Sequence, residues 1–254
     1  MVESDLVEDY RNSHISDEIS HDYEYKIYSK NSYDSIIWNF EKKILAKYFY
    51  LLKDQNGIID YMDFACGTGR IISYIESLSA INENLVGVDV SDSMLKIAES
   101  KLTHSKLINA DLTVDDVLEM QKFDLITSFR FVLNAQPELR DLAIKLIHDK
   151  LKNNHSFLIF NVHGNKYSYR LITYVIARSL WGRRLNHLSY WETEKIVEKY
   201  NLKIVSFYGI GFVPKVLYRF FPSGILCHVD SLLQRIPFIK YLAYDLVFIC
   251  QKQN

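Results

Sequence analysis

The stretch Asp63-Phe64-Ala65-Cys66-Gly67-Thr68-Gly69-Arg70 sets small residues at every second position directly after an apolar run. Glycine is unfavourable inside strands and helices, so two glycines this close mark a backbone that turns sharply or is approached closely. Ala65, Gly67 and Gly69 would let backbone amides and a helix N-terminus face a ligand. A tight strand-to-helix turn with no ligand uses the same residues, so the motif alone leaves both readings open. Three carboxylates shift the balance. Asp63 lies just before the turn, Asp89 stands 20 residues after Gly69, and Asp111 follows the next apolar stretch. A carboxylate placed like Asp89 can accept hydrogen bonds from both hydroxyls of a ribose. Asp111 stands where an adenine amino group would arrive. Each acid singly could cap a helix or stay solvated, but unpaired buried carboxylates are costly, and three at one rim point to a shared ligand.

Such a constellation needs parallel strands whose carboxyl ends share that rim. "IIDYMDFAC" reads as a strand and "GRIISYIESLS" as the helix after it. "NLVGVDV" is a second strand, followed by "SDSMLKIAESKL" with Ser91 as its N-cap. "SKLINAD", "FDLITSF" and "SFLIFNVHG" continue as strands, separated by a short helix over "TVDDVLEMQ" and a longer one that starts at Pro137. Strands alternating with helices pair in parallel through right-handed crossovers, which gives a doubly wound α/β sheet. Before it, Ile36, Ile37, Phe40, Ile44, Leu45, Tyr48 and Leu51 recur at helical spacing from Tyr33 to Leu52. After it, two apolar helical segments interrupt the alternation ahead of the strands "KIVSFYGIGF" and "AYDLVFICQK".

The 254 residues fit one large domain, and 48% apolar with 24% charged residues is ordinary for a globular protein with a sizeable core. The formal net charge of −1 argues against a polyanion-binding role for the chain as a whole. Cys66, Cys227 and Cys250 show no metal or disulfide spacing, which suits a reduced, cytoplasmic setting. Residues 1 to about 24 are acid-rich and read as a mobile or loosely docked arm, unlike a signal peptide. No apolar run reaches the ~20 residues of a membrane span. The 18 Tyr and 14 Phe exceed what a core alone usually requires.

Two cofactor classes suit a ribose-binding acid after the second strand. A nicotinamide dinucleotide prefers a third small residue where Arg70 stands, whereas S-adenosylmethionine has no pyrophosphate and needs no such cradle. "DFACGTGR", "GVDVSDSML", "NADL" and "FDLITSF" resemble, in order and spacing, the successive motifs of class I S-adenosylmethionine-dependent methyltransferases of the small-molecule type. The resemblance covers about residues 33 to 163 and extends to the closing strands. It implies a three-layer αβα fold around a seven-stranded sheet of order 3-2-1-4-5-7-6, strand seven antiparallel. It also implies that the turn from Ala65 through Cys66, Gly67 and Gly69 to Arg70 holds the methionine part of the cofactor, with Asp63 near its ammonium group. Asp89, with Val90 beside it, would take the ribose hydroxyls, and Met94 would pack on the adenine. Asp111 would bind the adenine amino group with Leu112 alongside, and Ser128, Phe129 and Arg130 would lie near the sulfonium. Ala65 departs from the family, which more often has glycine there, and is tolerated if its dihedrals are ordinary.

Methyl transfer is an in-line displacement for which an enzyme aligns the partners and excludes water. A hydroxyl acceptor also benefits from a base, and His163, just after the fifth strand, is the candidate, with a loop-bonding histidine as the alternative. Arg130 and Asn134 in "FRFVLNAQPE" are further candidates; Arg130 could bind an acceptor carboxylate or phosphate or the cofactor carboxylate, with a structural ion pair as the alternative. The loop after the fourth strand is "SFRF", without the proline-rich tetrapeptide of enzymes that methylate exocyclic amines of nucleic-acid bases, so no nucleic-acid substrate is expected. No metal site is expected either.

The two interruptions, about 165–187 and 213–241, are expected to form helical lids. The first carries Lys166, Arg170, Arg178, Arg183 and Arg184 with no acid; the second carries Lys215, Arg219, Arg235 and Lys240 against Asp230 alone. Both are rich in apolar residues. This composition suits an anionic, partly apolar small-molecule, glycan or lipid-linked acceptor, or peripheral contact with an anionic membrane. Simple packing on the sheet is the alternative. The segment 1–57 is expected to form an arm and cofactor-capping helices, with Tyr28 and Tyr33 over the cofactor or else packed in the core, and 58–254 the methyltransferase domain. The reading is a methyltransferase acting on a hydroxyl, with an N- or C-methyltransferase or a non-catalytic cofactor-binding regulator as alternatives.

Overall fold

The computed structural model describes residues 10–12, 33–181 and 186–253. The strands are β1 (Asp60–Phe64), β2 (Asn84–Asp89), β3 (Lys106–Asn109), β4 (Leu125–Ser128), β5 (Phe157–Val162), β6 (Leu202–Ile210) and β7 (Asp245–Lys252). They form one sheet in the order β3-β2-β1-β4-β5-β7-β6. The five strands from β3 to β5 pair in parallel, while β7 runs antiparallel to both β5 and β6. The helices are α1 (Tyr33–Asn56), α2 (Arg70–Leu78), α3 (Asp92–Glu99), α4 (Pro137–Lys150), α5 (Arg170–Trp181), α6 (Tyr190–Glu198) and α7 (Ser223–Leu233). Sheet order and the reversed last strand are those implied by the family resemblance.

The strands place alternate residues on opposite faces. On β1, Tyr61 joins the apolar cluster of α1 and α2, while Met62 and Phe64 join that of α4 and α6. Helix α1 buries Ile37, Leu45, Phe49 and Leu52 on one face, and Glu41 lies on that same face. It stops at Gly57, left-handed at φ 75, whose amide donates to Lys53 O at 2.9 Å. Ser91 caps α3 by accepting from Met94 N, as the sequence predicts.

The helix predicted over "TVDDVLEMQ" does not form; these residues make successive turns. Asp111 Oδ1 accepts from Thr113 N at 2.9 Å, and Asp116 Oδ1 from Leu118 N at 3.2 Å. Such side-chain bonds offer the backbone an alternative to helical bonding.

Both interruptions leave from the rim where β1–β5 end. Val162 ends β5 opposite Leu246, and Ile210 ends β6 opposite Asp245. The first contains α5. The second contains α7 between two short 3-10 turns, Lys215–Arg219 and Ile239–Leu242. Their roots meet Tyr33 of α1, whose hydroxyl lies 3.3 Å from that of Tyr169 and whose ring packs on Tyr218 and Tyr244.

Candidate active site

A cavity of about 330 Å3 opens at the carboxyl ends of β1 to β4, within the usual range for small-ligand sites. The turn after β1 forms its floor. Ala65, Gly67 and Gly69 all adopt positive φ, at 57, 53 and 75, so the three small residues mark a backbone that alternates into the left-handed region. The two glycines serve different ends. A Cβ on Gly69 would sit 2.8 Å from Ala98 Cβ, so this glycine lets α2 start against α3. A Cβ on Gly67 would meet nothing within 4 Å, and Gly67 lines the cavity. Cys66 completes the turn, its amide bonded to Val88 O at 3.0 Å. Burial, then the charges of Asp89 and Asp63, push its thiol well above the ordinary value, which disfavours the thiolate.

Asp89 is locked to this turn. Its Oδ2 accepts from Gly67 N at 2.8 Å and its Oδ1 from Ser91 N at 2.9 Å. Val90, Met94 and Leu112 make the apolar wall beyond it. Asp111 lines the same end, but its carboxylate already accepts from Thr113 and pairs with Arg11 Nε at 2.5 Å. Arg11 and Tyr10 belong to a short turn of the N-terminal segment laid across the opening. The Tyr10 amide donates to Gln136 Oε1 at 3.1 Å, and its ring meets Phe131 edge-on. Neither residue was expected there. They sit in an acid-rich stretch whose composition carries no packing signal.

Asp63 lines the cavity, yet its oxygens point inward, accepting from Thr127 Oγ1 at 2.7 Å and Ile72 N at 3.2 Å. Burial raises its pKa to about 7. Its bonds tie β1 to β4 and α2, which gives it a structural part as well as a place at the cavity wall.

At the tip of β4, Arg130 also takes a left-handed backbone, φ 62. Its amide donates to Asn161 Oδ1 at 2.7 Å, and its carbonyl accepts from Asn134 Nδ2 at 2.7 Å. Asn134 therefore lines the cavity while holding this loop in shape. The Arg130 guanidinium pairs with Asp34 at 3.0 Å. Arg70, where a dinucleotide turn would have a small residue, pairs with Glu41 at 2.7 Å and lies 4.3 Å over the Trp38 ring. Asn161 reaches both Glu41 and Asp245 from beneath. Burial, then the charge of Glu41, raises the Asp245 carboxyl well above the usual carboxylate range. The signal for this network was an acid, Glu41, on the apolar face of an otherwise regular helix.

His163 lines the cavity beside Phe129 and Arg130. Burial, then the charges of Arg130, Arg170 and Arg70, hold its pKa well below the ordinary histidine value. Its Nδ1 is buried without a hydrogen-bond partner, so a neutral imidazole offers polar capacity that the described residues do not satisfy.

Of the predicted site residues, Asp63, Ala65, Cys66, Gly67, Arg70, Asp89, Val90, Met94, Asp111, Leu112, Phe129, Arg130, Asn134 and His163 meet around this cavity. Three do not line it. Gly69 packs against α3 instead. Ser128 is fully buried within β4. Tyr33, expected to cover the cofactor, docks on the opposite side of the rim near Gly211 and Val213, because glycine at 211 leaves room for its hydroxyl. Tyr28 lies outside the described residues. No described residue after His163 lines the cavity, so neither interruption roofs this part of the site.

The observed cradle fits S-adenosylmethionine: an open position over Gly67, a carboxylate oriented by the turn, and an apolar wall for a flat ring. Residues 54–170 match a methyltransferase domain family. No curated protein matches the chain in sequence. Among solved structures, the chain is similar to a magnesium protoporphyrin IX methyltransferase from Synechocystis bound to S-adenosylhomocysteine, at 13% identity over 96% of this chain and 97% of that one, TM-score 0.63. An S-adenosylmethionine-dependent methyltransferase from Thermotoga maritima aligns at 14% identity over 95% and 99%, TM-score 0.58. Another from Clostridium acetobutylicum aligns at 17% identity over 93% and 98%, TM-score 0.57. Residues 54–170 thus match a methyltransferase domain, and the chain has the fold of the class I S-adenosylmethionine-dependent methyltransferases, whose cofactor is S-adenosylmethionine.

Proposed function

We propose that the chain transfers a methyl group from S-adenosylmethionine to a hydroxyl of a small-molecule, glycan or lipid-linked acceptor. The observation that carries this reading is the bond from Gly67 N to Asp89 Oδ2, which welds the glycine turn and the ribose carboxylate into one unit facing the cavity. Bound there, the cofactor supplies an electrophilic methyl carbon on a sulfonium. The residues of the chain position and shield it. Asp89 receives the ribose hydroxyls, Val90, Met94 and Leu112 pack on the adenine, and Asp111, steadied by Arg11 and Thr113, faces its amino group. Tyr10 and Arg11 close this end against water, which strengthens every polar contact inside.

At the other end, His163 is the candidate to receive the acceptor. Nδ1 needs a donor, and a hydroxyl is one. Its low basicity makes it an orienting acceptor that takes the proton only as the oxygen loses it to the new bond. Arg130 and Arg70 line the cavity beside it, each paired with an acid, Asp34 and Glu41, and an acceptor carboxylate or phosphate would compete for these guanidinium groups.

Thermal shift separates the cofactor readings: S-adenosylhomocysteine should stabilise the chain and NAD should not. With methyl-labelled cofactor, label should enter an organic or glycan extract as an alkali-stable ether. His163→Gln should lower kcat at least tenfold while leaving the KM for cofactor within about twofold. Label in an amine, or unchanged kcat in the variant, contradicts the hydroxyl reading.

A further inference from the structure

The second interruption exposes what a protein interior normally hides. Phe220, Phe221 and Phe238 are 74%, 54% and 85% exposed. They stand at the two ends of α7, and between them Ile225, Val229 and Leu232 are also exposed. Spacing of four and three residues puts these three on one outward stripe. The inward side holds Leu226 and Asp230, both buried. Helix α7 is therefore amphipathic with its apolar stripe turned to solvent. Scattered exposed apolar residues are ordinary, but a stripe flanked by aromatic tips marks an interaction surface.

Charge identifies the occupant. Asp230 is the one acid between Val213 and Tyr241, and it is withdrawn from the surface. Its oxygens accept from Phe212 N at 2.7 Å, Val213 N at 3.0 Å and Tyr218 Oη at 3.2 Å. The segment thus shows only positive charge outward. Arg219 adjoins Phe220, Arg235 precedes Phe238 by three residues, and both are exposed. Neither makes an ion pair among the described residues. A second copy of this chain on the same patch would oppose arginine to arginine. An anionic lipid surface takes both features at once, aromatic wedges into the acyl boundary and arginines among the headgroups.

Helix α5 also exposes large apolar residues, Ile172 at 68% and Leu180 at 71%. No helix among the described residues is long and apolar enough to cross a membrane, so the contact is with one leaflet. Asp34 links this face to the cavity, pairing with Lys215 at 3.4 Å and with Arg130 at 3.0 Å.

We infer that α7 and its aromatic ends dock the chain on the surface of an anionic lipid bilayer. The inference goes beyond methyl transfer and does not depend on it. The test is co-sedimentation of the full chain with phosphatidylcholine vesicles, with and without 30% phosphatidylglycerol. Partition onto the anionic vesicles should exceed that onto the neutral ones at least about 25-fold and fall in high salt. Arg219→Gln with Arg235→Gln should reduce it about 25-fold, from roughly fivefold for each cation near an anionic leaflet. Phe220→Ser with Phe221→Ser and Phe238→Ser should reduce it about tenfold or more. Both sets should keep the melting temperature and the S-adenosylhomocysteine shift, which separates loss of docking from loss of fold or of cofactor. Equal partition onto both vesicle types, or variants that bind like the parent, overturns the inference. So does a solution dimer that the phenylalanine changes dissociate without any vesicle binding, because a second copy then covers the face.

Discussion

Ala65 and Arg130 share one unusual backbone state: both are left-handed, at φ 57 and 62, just beyond the tips of the neighbouring strands β1 and β4. For an L-residue this costs roughly 1–2 kcal/mol. Strain of this kind gathers where a backbone must serve a ligand more than itself. Both residues line the cavity, and both are held from outside. Asn161 and Asn134 fix Arg130. The neighbours of Ala65 are fixed by bonds from Cys66 N to Val88 O and from Thr127 to Asp63.

Replacing Ala65 should therefore stabilise the chain. Ala65 is only partly buried and its methyl packs at the edge of the core, so glycine forfeits little of that packing. Ala65→Gly should gain about 1 kcal/mol, less the extra freedom of glycine in the unfolded chain, and raise the melting temperature by about 2–4 °C. Calorimetric melting checks this, and a lower melting temperature speaks against a strained Ala65.

The two glycines of the turn should fail differently. Gly69→Ala adds a clash with Ala98 at 2.8 Å to the positive-φ penalty, so it should lose at least about 2 kcal/mol of stability. Gly67→Ala meets no neighbour and should lose about 1 kcal/mol, yet weaken S-adenosylhomocysteine about tenfold or more by filling the approach to the backbone. Urea titration and ligand titration on the same two variants separate the effects. Equal losses in both assays contradict the division of roles.

Burial of Asp63 ties stability to pH in the direction opposite to a salt-bridged acid. Its folded pKa, about 7, lies above the ordinary 3.8, so the folded state keeps a proton that the unfolded state releases. Its contribution is full below about pH 4 and is lost progressively as pH rises to about 7, with a slope of up to about 1.4 kcal/mol per unit for one proton. Thr127 Oγ1 and Ile72 N both donate to Asp63; an asparagine oxygen can keep the bond from Ile72 N, and its amide can donate to the Thr127 oxygen once that hydroxyl rotates, as a protonated acid would. Asp63→Asn should flatten that part of the stability–pH curve without loss of fold. Denaturant titrations at several pH values check it, and an unchanged slope assigns the dependence to other groups.

The doubly wound sheet was legible because each strand is a short apolar run closed by turn chemistry, and helices begin at start signals such as the Ser91 cap or Pro137 in a first turn. The turn at the cavity floor was legible for the same reason: small residues at Ala65, Gly67 and Gly69 and an acid at Asp89 are local consequences of a strand tip. What stayed hidden depends on distant partners. Nothing near Glu41 in sequence announces Arg70, and nothing near Asn161 announces Asp245. Arg11 meets Asp111 across 100 residues, from a segment whose composition reads as an unattached arm. For Tyr33 the sequence left a place over the cofactor and a place in the core both open, because aromatic content shows that a ring will be buried but not in which crevice; Gly211 decides that. The dihedral of Ala65 was equally invisible, since alanine ordinarily avoids the conformation it adopts here.

The central claim is that Asp89, oriented by Gly67, holds the ribose of the cofactor. Titration calorimetry of S-adenosylhomocysteine into the full chain and into Asp89→Ala tests it most directly, with cooperative melting of the variant as the check on its fold. Single-site binding by the parent and none detectable by the folded variant is the predicted result; no binding by the parent, or equal affinity in both, would contradict it.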